Sequence, residues 1–93
     1  MFLYCIANNN GMVKFGFSKD PERRVRSLQT GSSEALFLLE SIRVPEDSVR
    51  EYERLLHREF AHLRSRGEWF RISGEDGVAF LTWFQIHYLS DVD

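Results

Sequence analysis

Two short apolar runs, Phe2 to Ala7 and Met12 to Phe17, stand on either side of Asn8-Asn9-Asn10-Gly11. Runs of this length, separated by a cluster ending in Asn-Gly, specify a β-hairpin, because glycine and asparagine accept the backbone angles that a tight reversal demands. A chain that opens on a hairpin must bury at least one face of it. The rest of the sequence therefore has to supply elements that cover a sheet.

It does so in regular order. Asp20 reads as a helix N-cap with Pro21 at the first helical position, and the helix runs through Leu28 to stop near Gly31. Val25 and Leu28, three apart, define its buried face. Leu36 to Val44 reads as a third strand ended by Pro45. A long helix follows from about Asp47 to His62, in which Val49, Tyr52, Leu56, Phe60 and Leu63 recur at spacings of three and four. Gly67-Glu68 marks a turn, and Trp69-Phe70-Arg71-Ile72 a short closing strand. Ser73 with Asp76 resembles a capping box for a last helix over about 75–89. The order is β-β-α-β-α-β-α. It predicts an α+β domain, a mainly antiparallel sheet of three to four strands flanked by three helices.

Ninety-three residues make one domain with one modest core. Thirteen of them are aromatic, so that core is built on rings. A lone cysteine, Cys5, has no internal disulfide partner. In an apolar strand it reads as a buried free thiol, which favours a reducing compartment. No leader-like segment opens the chain and no apolar run approaches about 18 residues, so a cytoplasmic location away from membranes is expected.

The net charge of −2 hides an uneven distribution. All twelve Lys and Arg lie between Lys14 and Arg71, ten of them arginine, and that stretch carries a net +2. The tail, with Glu75, Asp76, Asp91 and Asp93, is acidic. Arginine suits bidentate phosphate contacts, although a solvated surface accounts for the same residues. Zinc is not expected, because His57, His62 and His87 have no ligand spacing and Cys5 is isolated. Asn8 to Asn10 are explained by the turn.

Phe2-Leu3-Tyr4, Lys14-Phe15-Gly16, Arg24 in the following helix, Glu53-Arg54-Leu55-Leu56 in the long helix, and Gly67-Glu68-Trp69-Phe70 come in a distinctive order. Together they resemble the GIY-YIG endonuclease superfamily, and in particular its short branch found in phages and in meiotically up-regulated proteins, where Lys-Ile-Gly replaces Tyr-Ile-Gly. The resemblance implies a single nuclease domain over residues 1–93 that cleaves phosphodiester bonds in DNA, with Tyr4 helping to activate water. It implies that Lys14 holds a phosphate oxygen or assists the base, and that Arg24 stabilises the transition state. It further implies that Glu53 ligates one divalent cation, Mg²⁺ or Mn²⁺, and that His57 orients the phosphate or supports Glu53.

Arg23 is the fallback for Arg24, and Lys19, Arg23 and Arg26 are candidate nucleic-acid contacts. Helical geometry sets Glu53 about 60° from the centre of the apolar stripe, at the edge of the buried face, where a carboxylate calls for a partner. Ion pairing with His57 or Arg24 is the alternative to a metal. Gly67 to Phe70 reads as structure. A different class of function, an inactive module of the same fold that binds a host protein or nucleic acid, would use the acidic aromatic end (Trp83, Phe84, Tyr88, Asp91, Asp93), alone or as a dimer.

Overall fold

The computed structural model describes residues 1–65 and 67–89. Asp91 and Asp93 of the acidic end lie outside the described residues. β1 (Phe2–Asn8) and β2 (Val13–Ser18) form the expected hairpin, with Tyr4 opposite Gly16 and Ile6 opposite Lys14. Asn8 makes the turn. Its Oδ1 accepts from the backbone N–H of Asn10 at 2.9 Å and of Met12 at 3.0 Å. Gly11 takes the left-handed φ of 76° that this reversal needs.

β3 (Leu36–Arg43) pairs with the far side of β1, and β4 (Trp69–Phe70) with the start of β2. The four-stranded antiparallel sheet has the order β3-β1-β2-β4. β1 is central and loses water from both faces: Leu3, Tyr4, Cys5 and Ile6 are all buried.

α1 (Pro21–Thr30) starts where Asp20 accepts the Arg23 N–H at 3.2 Å and packs across β3, β1 and β2. Val25 and Leu28 are half-buried; Pro21 is its one fully buried residue. Gly31 does follow the helix, with φ −95°, a value open to any residue. α3 (Gly74–Phe84) is capped by Ser73, which accepts the Asp76 N–H at 3.0 Å. It comes close to the opposite sheet face at Gly77, where a Cβ would sit 2.8 Å from Cys5 Sγ. A π-type turn, Gln85–Leu89, takes over where the sequence predicts continued α-helix.

α2 (Val49–Glu59) buries Tyr52 and Leu56 as the stripe predicts. It ends before His62, because the chain tightens into a 3-10 turn, Ala61–Leu63. β4 also stops short of Ile72: Arg71 donates its N–H to Leu63 O at 2.8 Å instead of extending the sheet. The core between α2, α3 and the sheet is aromatic. Phe60 stacks on Phe15 at 5.4 Å and meets Phe80 edge-on at 4.6 Å, and Tyr52 meets Phe84 edge-on at 4.9 Å.

Burial, reinforced by the Glu40 carboxylate, pushes the Cys5 thiol from 9.0 up to about 12. The folded chain thus holds a proton that the unfolded chain releases above about pH 9. The contribution to stability is complete below that pH and drains away toward pH 12, by about 1.4 kcal/mol per unit. Urea unfolding across the alkaline limb should show a shallower pH slope for Cys5→Ala than for wild type. Equal slopes would mean the thiol is not held protonated.

Candidate active site

β4 covers only Val13 and Lys14, so the Phe15–Ser18 half of β2 keeps an open edge. A cleft of about 340 Å³ lies there. The register puts Tyr4, Lys14 and Gly16 on one sheet face, and Arg24 reaches the same cleft from α1. Glu53 and His57, one helical turn apart on α2, close the other side, with Glu68 and Phe70 from the β4 hairpin.

The five residues singled out as catalytic in the sequence, Tyr4, Lys14, Arg24, Glu53 and His57, therefore line one cleft, although they come from four elements. Arg24, not Arg23, is the helix arginine that reaches it. Arg23 and Arg26 are exposed elsewhere on α1. Lys19 is exposed too, and its ammonium pairs with Glu46 at 3.4 Å.

Tyr4 is only 2% exposed, yet its side chain ends at this cleft. Among the described residues no hydrogen bond to its hydroxyl is present, and the oxygen is not one of the buried unpaired atoms, so it meets solvent. The ring lies across Gly16. A Cβ at Gly16 would overlap the hydroxyl and the ring carbon that bears it.

Lys14 is tied down by Glu68, Nζ to Oε2 at 3.1 Å, with the lysine side chain 17% exposed and the glutamate 53%. Gly67-Glu68-Trp69-Phe70 is therefore more than a core-closing turn. Phe70 fills the core, and Glu68 belongs to the cleft.

Glu53 corrects the sequence reading. It is exposed, because α2 packs beside β2 and turns this side chain outward past the open strand edge. No desolvation cost forces it to pair, and among the described residues its carboxylate makes no ion pair or hydrogen bond. Neither the His57 pair nor the Arg24 pair forms. His57 instead takes a hydrogen bond at Nδ1 from Arg64 Nη2, at 2.7 Å.

Among the described residues no three His, Cys, Asp or Glu side chains gather into a metal cage. A lone, unpaired carboxylate in an open cleft does suit Mg²⁺ or Mn²⁺, which keeps several waters and takes substrate phosphate oxygens as ligands. A second groove of about 530 Å³ adjoins the cleft, bounded by Arg50, Glu53, Arg54 and His57. Arg50 and Arg54 were not singled out in the sequence. Their spacing of four beside Glu53 and His57, also four apart, was the available signal. At the chain's acidic end the aromatic surface is smaller than expected: Trp83 and Tyr88 are exposed, but Phe84 is fully buried.

Gly16→Ala should move the Tyr4 ring out of place. The expected result is a loss of about 1–3 kcal/mol in urea-measured stability from overpacking, with near-UV circular dichroism reporting a changed tyrosine environment. An unchanged variant would mean that the ring does not rest on Gly16.

No curated protein and no solved structure matches the chain. A family model for the T5orf172 domain matches residues 1–85. With nearly the whole sequence covered, the protein belongs to the T5orf172 domain family, and its fold is the nuclease-like one of GIY-YIG type.

Proposed function

We propose that the protein is a small metal-dependent endonuclease that hydrolyses phosphodiester bonds in DNA. The observation that carries this reading is the convergence of Tyr4, Lys14, Arg24, Glu53 and His57 on one open-edged cleft of a nuclease-like fold. A divalent cation held by Glu53 would supply Lewis-acid stabilisation of the scissile phosphate.

The chain's own groups do the rest. Water attacks phosphorus, a new P–O bond forms, the ester P–O bond breaks, and the water's proton ends on the departing oxygen by way of solvent. Tyr4 Oη, without a partner among the described residues, accepts a hydrogen bond from the attacking water. The Lys14 ammonium, steadied by Glu68, holds a phosphate oxygen in line with it. Arg24 presents a guanidinium to the charge that builds on the phosphate oxygens. His57 orients the phosphate from the far wall. Arg50 and Arg54 line the route by which the polyanion leaves the cleft, and Lys19, Arg23 and Arg26 offer further backbone contacts from the α1 side.

Cleavage of supercoiled plasmid, branched DNA and single-stranded DNA, with Mg²⁺ or Mn²⁺, tests this. Wild type should cut at least one substrate, Glu53→Ala should cut none, and Arg24→Ala should be slower by about 10²–10³. A folded Glu53→Ala that cuts at the wild-type rate would sink the mechanism. No cutting by folded wild type on any substrate would favour the other class, an inactive module that binds nucleic acid or a protein.

Replacing Arg50 and Arg54 together by alanine should weaken DNA binding and flatten the plot of log affinity against log salt by about 1–2. An unchanged slope would remove both from the DNA path.

A further inference from the structure

His57 carries more information than its presence in the cleft. Arg64 Nη2 lies 2.7 Å from His57 Nδ1. A guanidinium has donors only, so Nδ1 must be the acceptor. An imidazolium, or the tautomer protonated at Nδ1, would set two N–H groups against each other. With that hydrogen bond made, the ring N–H is the one at Nε2. His57 lines the cleft and Arg64 does not, and the bond from Arg64 leaves Nε2 as the ring nitrogen available to a ligand.

Arg64 is well placed for such a task. Its backbone bridges to Phe70, its N–H donates to Ala61 O at 3.3 Å, and the flanking Ser65 N–H donates to Trp69 O at 2.8 Å. The ring of Phe70 in turn meets His57 edge-on at 6.3 Å. The same hairpin thus fixes the imidazole from two sides, by Arg64 at one nitrogen and by Phe70 against the ring.

We propose that Arg64 is a positioning residue that locks the His57 ring as an Nε2–H donor to a phosphate oxygen of the substrate, so that His57 is not the general base. This rests on the endonuclease reading for the identity of the phosphate, but the locked tautomer does not. The base function then falls to the Tyr4 side of the cleft.

Nitrogen-15 NMR of the imidazole ring in the full chain tests the lock directly. Wild type should show Nε2 protonated and Nδ1 unprotonated, Arg64→Lys should keep that pattern, and Arg64→Ala should give a mixture of tautomers. In plasmid cleavage Arg64→Ala should lower kcat/KM by about tenfold, as loss of a ligand-orienting partner does elsewhere, with Arg64→Lys restoring most of it. His57→Gln, which keeps an N–H donor, should retain more activity than His57→Ala.

A wild-type ring protonated at Nδ1, or a tautomer unaltered in Arg64→Ala, would overturn the proposal. So would an Arg64→Ala variant that loses the tautomer yet cuts at the full rate. A wild type that cuts nothing, but shows the tautomer and its dependence on Arg64, supports the lock and counts against the nuclease reading alone.

Discussion

The contact between the Tyr4 ring and Gly16 is the one on which the site depends. β1 is buried on both faces, so any polar atom on it needs an exit. The phenol gains that exit by lying flat across the neighbouring strand, and only a residue without a side chain leaves the room. Gly16 sits in the half of β2 that β4 does not cover. The hydroxyl therefore emerges where the sheet edge is open, and the open edge in turn lets α1 and α2 bring charged groups to it from opposite sides. A longer β4 would close the edge and cap the phenol.

The segment from Leu63 to Arg71 does two jobs that sequence pattern alone does not separate. Its Phe70 completes an aromatic core with Phe15 and Phe60, 6.1 and 5.7 Å away. Its polar residues reach the cleft wall, Arg64 to His57 and Glu68 to Lys14. A rigid apolar anchor carrying short polar arms is a physically sound way to hold charged side chains that would otherwise sample many rotamers.

Much of this was legible in the sequence because it is local. The hairpin, the Asp20 and Ser73 caps and the Tyr52–Leu56 stripe follow from spacing and turn chemistry, and the structure has all of them. What failed was non-local. Glu53 read as an edge residue because an angle on a helical wheel assumes a flat partner, whereas α2 flanks a strand edge and leaves that side in water. β4 came out short because Arg71 found a backbone acceptor in Leu63, a pairing set by how the 3-10 turn folds back. Glu68 was overlooked because its partner, Lys14, lies near the other end of the chain, and no periodicity connects a turn glutamate with a strand lysine.

The charges lining the cleft bear on how such a site would take a polyanion. Lys14 and Arg24 oppose Glu53 and Glu68, so the charges of these four side chains cancel. A phosphodiester would bring a further negative charge among them. Arg50 and Arg54 at the rim add positive charge beside them, and among the described residues Glu53 is the lining carboxylate left without an ion pair. Glu68 is spent on Lys14 and cannot serve both. Had Glu53 been buried and paired with His57, as helical geometry first suggests, the same cleft would have no free carboxylate to offer a metal. Instead, the carboxylate without a partner among the described residues is the one that borders both the cleft and the adjoining groove of Arg50 and Arg54.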